Sequence, residues 1–99
     1  MTVALLALPD TLTMATATQA LRGLEPALAG SGGAQVEVDA TALRDYDSAA
    51  LAVLLQLRRN VQAAGGDLCI KGAPKLLAEL AQLYGVDGAL PGLEEQAAA

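Results

Sequence analysis

Three aspartates, Asp39, Asp45 and Asp47, followed directly by Ser48, are the densest group of chemistry-bearing side chains in the chain. Neighbouring carboxylates suit two kinds of chemistry, general acid–base transfer and the holding of a hard cation. Neither is well served here, because no histidine or further ligand stands nearby, and aspartates in turns and caps commonly bond the local backbone instead. The chain has no histidine at all, which removes Ser-His-Asp and Cys-His catalysis, histidine zinc sites and histidine pH switching in one step. Cys69, the single cysteine, lies between Leu68 and Ile70 and reads as a small buried hydrophobe, the alternative being a reactive thiol. No activated nucleophile, metal cluster or cofactor loop can be assembled, so no catalytic residue, metal or cofactor is expected. Gly30-Ser31-Gly32-Gly33 lacks the lysine of a phosphate-binding loop and reads as a linker between helix and strand.

What remains is the Asp47-Ser48 pair and the element it opens. Ala50, Leu54, Leu57 and Val61 recur at helical spacing, with Leu51, Val53 and Leu55 widening the stripe, so a mostly buried helix runs from Ser48 onward. Asp47 and Ser48 are the residues suited to its N-cap, where a side-chain oxygen takes amide bonds that the first turn cannot make internally. Ser48 therefore has two readings: a helix cap, or an exposed contact and switch residue. A phosphoserine there would set negative charge against the positive end of the helix dipole, changing a surface without unfolding the domain.

The other elements follow in order. Val3 to Leu8 reads as a strand, Pro9-Asp10 as a turn, and Thr11 to Met14 as the return strand of a hairpin with Leu12 and Met14 inward. Thr18 is the expected cap of a helix from Gln19 to about Ala29, with Leu21, Leu24 and Leu28 buried and Pro26 kinking or splitting it. Val36 and Val38 alternate with Glu37 and Asp39, a strand with one face buried and the other partly wet. Ala64-Gly65-Gly66-Asp67 stops the long helix with a glycine suited to a left-handed position, Leu68 to Ile70 is the next strand, and Pro74 opens a last helix whose stripe is Leu76, Leu77, Leu80, Ala81 and Tyr84, ended by Gly85. Tyr84 is assigned to packing and Tyr46 to a partner surface; Arg44, Arg58 and Arg59 are solvated, with Arg44 placed to touch a partner. Residues from about 92 to 99 are expected to fray.

The fold class expected is α/β: a mixed sheet made of an N-terminal hairpin plus two further strands, with three helices packed on it in a single domain over 1–99. Eleven acidic against six basic residues give a net charge of −5, and phenylalanine and tryptophan are absent, which argues against nucleic acid as a partner. The apolar runs are too short to span a bilayer, so no direct membrane insertion is expected, and neither a signal peptide nor a disulfide; the cytoplasm is the expected compartment.

The stretch around Ser48 resembles the STAS domain family, whose signature is a hydrophobic strand ending in Asp, then Asp-Ser-Ser-Gly or Asp-Thr-Gly-Gly opening a Leu-rich helix. Here it stands as Asp39, then DSAA at Asp47 to Ala50, then LAVLLQL from Leu51 to Leu57. Ala49 and Ala50 replace the usual small residues, glycine included, and keep the surface low. At the N-terminal side Thr16-Ala17-Thr18-Gln19 departs from a Gly-x-Leu-Asp run, and the resemblance extends to about Pro91. It implies a partner-binding surface of Arg44, Tyr46, Asp47, Ser48, Ala49 and Ala50, with Ser48 a possible phosphorylation site. The C-terminal half, with Leu80-Ala81-Gln82-Leu83-Tyr84, is similar to the MlaB type, which implies a non-catalytic subunit binding an MlaF-like cytoplasmic ABC transporter ATPase in phospholipid transport. The alternative is an anti-sigma-factor antagonist whose partner is an anti-sigma factor kinase.

Overall fold

Alternation decides which side of the sheet is covered. The computed structural model describes residues 3–29 and 35–93, and in it β1 (Val3–Ala7), β3 (Gln35–Asp39) and β5 (Leu68–Lys71) form one parallel sheet in the order β1-β3-β5. Leu6, Leu8, Val36, Val38, Leu68 and Ile70 are buried on one face. Their neighbours Leu5, Ala7, Glu37, Asp39, Cys69 and Lys71 point to the other, which is exposed or half-exposed. Parallel neighbours need crossover connections, and helices supply them. The helices are α1 (Ala17–Ala29), α2 (Ser48–Ala63) and α3 (Lys75–Leu83), and all of them cover the buried face, sharing one core.

The expected N-terminal hairpin does not form. β2 (Thr11–Leu12) pairs in parallel with β4 (Asp45–Tyr46), and β1 pairs with β3. The Pro9-Asp10 turn leads the chain away from the sheet: the Asp10 carbonyl accepts the amides of Arg44 and Asp45 at 2.8 and 3.0 Å, so the segment docks on the turn before α2. Leu12 is fully buried as expected, but Met14 is 80% exposed, because the chain turns at Thr13 and enters α1. The helix starts at Ala17, with the Thr13 carbonyl taking the Ala17 amide, so Thr18 lies inside it and not at its cap. Pro26 sits within the continuous helix on an exposed face. Leu21 and Leu24 pack half-buried on the core; the side chain of Leu28, the linker at 30–33 and the segment from Glu94 lie outside the described residues.

α2 is the central strut. Ala50, Leu51, Val53, Leu54, Leu57 and Val61 are buried along it, and Leu55 is half-buried. Removing a side chain such as Leu54 or Leu57 would cost roughly 2–5 kcal/mol. At its end Gly65 takes φ +95°, its amide bonds the Gln62 carbonyl, and the Gly66 amide bonds the Val61 carbonyl. This paired capping motif needs a left-handed residue, which glycine adopts without strain.

In α3 the buried residues are Leu77, Ala78 and Ala81, whereas Leu76 and Tyr84 are 57% and 58% exposed. The expected packing role of Tyr84 is therefore corrected: the apolar arc of the helix, bounded by Lys75, Glu79 and Gln82, is wide, and the core takes only the part centred on Leu77 and Ala81. Of the fraying expected from about residue 92, the part at residues 92 and 93 is corrected too. Leu90 and Leu93 are fully buried, Gly92 is buried, and the Ile70 amide donates to the Pro91 carbonyl at 2.7 Å, so this segment seals the outer edge of β5. Among the described residues no helix is long and apolar enough to cross a membrane.

Candidate functional site

Asp47, the last residue before α2, holds the site together. Its backbone is extended, and its carboxylate Oδ1 accepts the Ala49 amide at 2.8 Å, so Asp47 is the N-cap. Its other oxygen, Oδ2, accepts the amide of Met14 at 3.1 Å, tying the turn before α1 to the start of α2. Ser48 therefore occupies the first helical position. It is exposed, and its hydroxyl makes no hydrogen bond among the described residues. Of the two residues suited to the cap, Asp47 takes the role and Ser48 is left facing solvent.

The neighbouring positions divide by depth. Ala49 is half-buried and Ala50 fully buried, so only Ser48 and Ala49 of this turn reach the surface, and Ala50 supports them from below. Arg44 and Asp45 are exposed, and Tyr46 in β4 is half-buried against the core. Tyr46 thus has a packing role beside any surface one, through its pairing with the buried Leu12. Met14, which the sequence pattern placed inside, stands exposed next to Asp47 and adds an apolar side chain to the same end of the molecule. The Thr13-Met14 turn gave no distinguishing signal, since alternation through Leu12 and Met14 reads as a strand.

The three aspartates do not converge. Asp39 Oδ1 accepts the Thr41 amide at 2.9 Å and the Thr41 hydroxyl at 2.6 Å, a local turn in which the hydroxyl first, and the amide next, lower the carboxyl's pKa. Asp47 is engaged by two amides, and Asp45 is exposed. Among the described residues no group of three or more histidine, cysteine, aspartate or glutamate side chains is placed to hold a metal ion. Cys69 is a free thiol, half-buried on the open face of the sheet and not in the core.

Arg58 is no solvated arginine. Its guanidinium meets Asp67 through Nε at 3.0 Å and Nη2 at 3.3 Å, and Nη1 donates to the Ala89 carbonyl at 2.9 Å. The hydrogen bond to Asp67 is the largest cause holding the arginine's pKa up, and its counterpart holds Asp67 down. Arg58 clamps α2 to the strand β5 and the C-terminal turn and belongs to the scaffold; Arg59 beside it is exposed.

A strand ending in Asp39, a cap at Asp47, an exposed serine at the first helical position and a buried leucine-rich helix are thus one connected piece of structure. A family model described as "Mlab, STAS domain" matches residues 2–94. The chain belongs to the MlaB-type STAS domains. The match takes in the C-terminal turn that seals β5, beyond the Pro91 limit of the sequence resemblance. Comparison with curated proteins returns no match. In this STAS domain the signature segment lies at one end of the helical layer, where α1 and α2 both begin.

Proposed function

We propose that this STAS domain is a non-catalytic subunit that docks through the start of α2 onto the ATPase of an Mla-type phospholipid ABC transporter, stabilising or regulating it in the maintenance of outer-membrane lipid asymmetry. The observation that carries this reading is the first turn of α2: Asp47 supplies the cap, which frees Ser48, and alanines keep the surface beside it low. A flat, small-residue patch suits docking by a complementary protein surface, and the exposed Met14 next to it offers apolar contact area. The site of action on this reading is the cytoplasmic face of the inner membrane. Affinity capture of the tagged chain from its host, read by mass spectrometry, tests it: a transporter ATPase is the expected companion.

One observation favours a second reading. The Ser48 hydroxyl is exposed and makes no hydrogen bond among the described residues, as a phosphate acceptor requires, so an anti-sigma-factor antagonist switched at Ser48 by its kinase is the alternative. Recovery of a sigma-regulator kinase without any transporter subunit would select it.

A further inference from the structure

The two edges of the sheet differ. At the outer edge of β5 the Ile70 amide is taken by the Pro91 carbonyl. At the other edge stands β1, which pairs with β3 alone among the described residues. The Leu8 amide donates to the Asp39 carbonyl, so along this extended run the even-numbered residues turn their amides and carbonyls to β3, and Val3, Leu5 and Ala7 turn theirs outward. Among the described residues no backbone hydrogen bond takes up the outward groups of Leu5 and Ala7. Sheet edges are ordinarily kept from pairing by charges, prolines or bulges, and β1 has none of these: it reads VALLA in unbroken register with β3, and its Leu5 side chain is 74% exposed.

The helix above this edge is incompletely covered as well. α1 touches β1, yet its Ala17, Ala20, Leu21 and Leu24 are only half-buried, whereas α2 buries a full stripe. Thr18 and Leu21 line a groove against α2, and Glu25 accepts from Asn60 of α2, which fixes that side of the helix. Helical spacing then puts Ala20 and Gly23 on the opposite side, toward the outer margin of β1, where a Cβ at Gly23 would meet nothing. Arg22 and Glu25, the charged residues of α1, lie toward solvent and α2. In a chain of net charge −5, the flank made by β1 and this side of α1 is thus uncharged.

We propose that a second copy of the chain covers this flank, β1 pairing antiparallel with β1 of that copy so that one sheet runs through both. The strand is complementary to itself in one register. With Leu5 opposite its own counterpart, Val3 falls opposite Ala7, and the groups brought face to face are the outward amides and carbonyls of these residues. The two exposed leucines then pack together on the open face, and α1 comes alongside α1 of the second copy, where Ala20 and Gly23 let the helices approach. Neutrality selects this occupant, because a two-fold contact sets like charges against each other wherever a flank is charged. Glu37, the open-face carboxylate in register with Leu5, stands one strand in; its counterpart is three strand spacings away, about 14 Å, beyond the screening length of about 8 Å. The pairing uses no residue of the α2 start and does not rest on the function proposed above.

Sedimentation velocity of the purified full chain over a concentration series tests the pairing. The expected result is a reversible equilibrium that reaches twice the chain's 10.0 kDa. Leu5→Lys and Leu5→Glu each set like charges across the axis, and each alone is expected to weaken the dimer by about tenfold or more. Mixed in equal amounts the two variants should regain it, since opposite charges then meet. Ala7→Pro removes an outward amide and none that β3 uses, and should weaken the dimer as well. Leu5 and Ala7 are exposed, so none of these changes enters the core, and thermal unfolding of each variant confirms its fold. A chain that stays monomeric at millimolar concentration would overturn the proposal, whether the edge is then free or taken by a strand of another protein. So would a mixture no tighter than the single variants, or a dimer that the β1 variants leave intact and Leu83→Glu dissociates, which would give the contact to the exposed leucines of α3. Capture of a transporter ATPase, or its failure, leaves these results unchanged.

Discussion

The Asp47 carboxylate accepts the backbone amide of Met14 at 3.1 Å while its other oxygen caps α2 through the Ala49 amide at 2.8 Å. One side chain therefore fixes the relative position of two turns far apart in sequence, and the Asp47 amide in turn donates to the Leu12 carbonyl at 3.3 Å. Asp47→Ala is expected to cost about 1–2 kcal/mol through the lost cap and the orphaned Met14 amide. Ser48→Ala should stay within about 0.5 kcal/mol, because Ser48 caps nothing. Urea unfolding of both variants checks the order, and a larger loss for Ser48→Ala would contradict it.

How much of this was legible follows from how local each interaction is. The helix from Ser48 and its buried leucines were readable because one periodic stripe faces one core. Asp47 was readable as a cap, but its bond to Met14 was not, since nothing in a sequence announces a contact across the β2–β4 pair. That pair is itself only two residues long on each strand, too short for a pattern, and the Pro9-Asp10 turn resembled a hairpin signal. Arg58 was hidden for a related reason: Asp67 lies past the glycine turn that reverses the chain, and Ala89 is farther still. In α3 the apolar arc outside Lys75, Glu79 and Gln82 covers more than half of the helix, so periodicity alone could not choose Leu77 and Ala81 over Leu76 and Tyr84.

The Arg58–Asp67 pair sets an acid dependence. Hydrogen bonding to Arg58 holds the Asp67 carboxyl below its ordinary value of 3.8, so the pair's contribution is present above that value and is lost as pH falls through the lowered folded one. Both side chains are partly exposed, which limits the contribution to about 1 kcal/mol. Urea midpoints of wild type and Arg58→Ala should therefore differ at about pH 7, and the gap should narrow as pH falls below 3.8 through the lowered folded value. A gap that persists unchanged in acid would show that the arginine acts through packing and its bond to Ala89 alone.

Gly92 makes the C-terminal turn a structural element. It sits at φ +92°, and a Cβ there would collide with the Ile70 carbonyl, approach the Ile70 amide to 2.8 Å and reach Cys69 Sγ at 2.9 Å. Gly92→Ala is expected to destabilise by about 3 kcal/mol or more, since backbone strain and a backbone clash combine. Leu93→Ala should lose roughly 2–5 kcal/mol by leaving a cavity. Denaturant unfolding measures both, and a Gly92→Ala protein as stable as wild type would mean that the segment does not seal β5.

A negative charge at Ser48 should be compatible with the fold. Ser48→Glu puts its carboxylate at the first turn of α2, where the helix dipole favours it by about 0.3–1 kcal/mol. Its thermal midpoint should equal or slightly exceed that of wild type. A clear fall would place Ser48 in a tighter environment than its exposure indicates.

On the proposed function, the start of α2 is the docking surface for a transporter ATPase. The direct measurement is the dissociation constant of purified Ser48→Arg for that ATPase, taken beside its thermal unfolding, with Gln82→Arg on the exposed side of α3 as the control. Arginine at Ser48 places a cation at the positive helix end and holds an opposing surface away, while the exposed position spares the core. The expected result is a folded Ser48→Arg protein that no longer binds, and a Gln82→Arg protein that binds like wild type. A folded Ser48→Arg protein with wild-type affinity would contradict the claim and put the docking surface elsewhere on the domain.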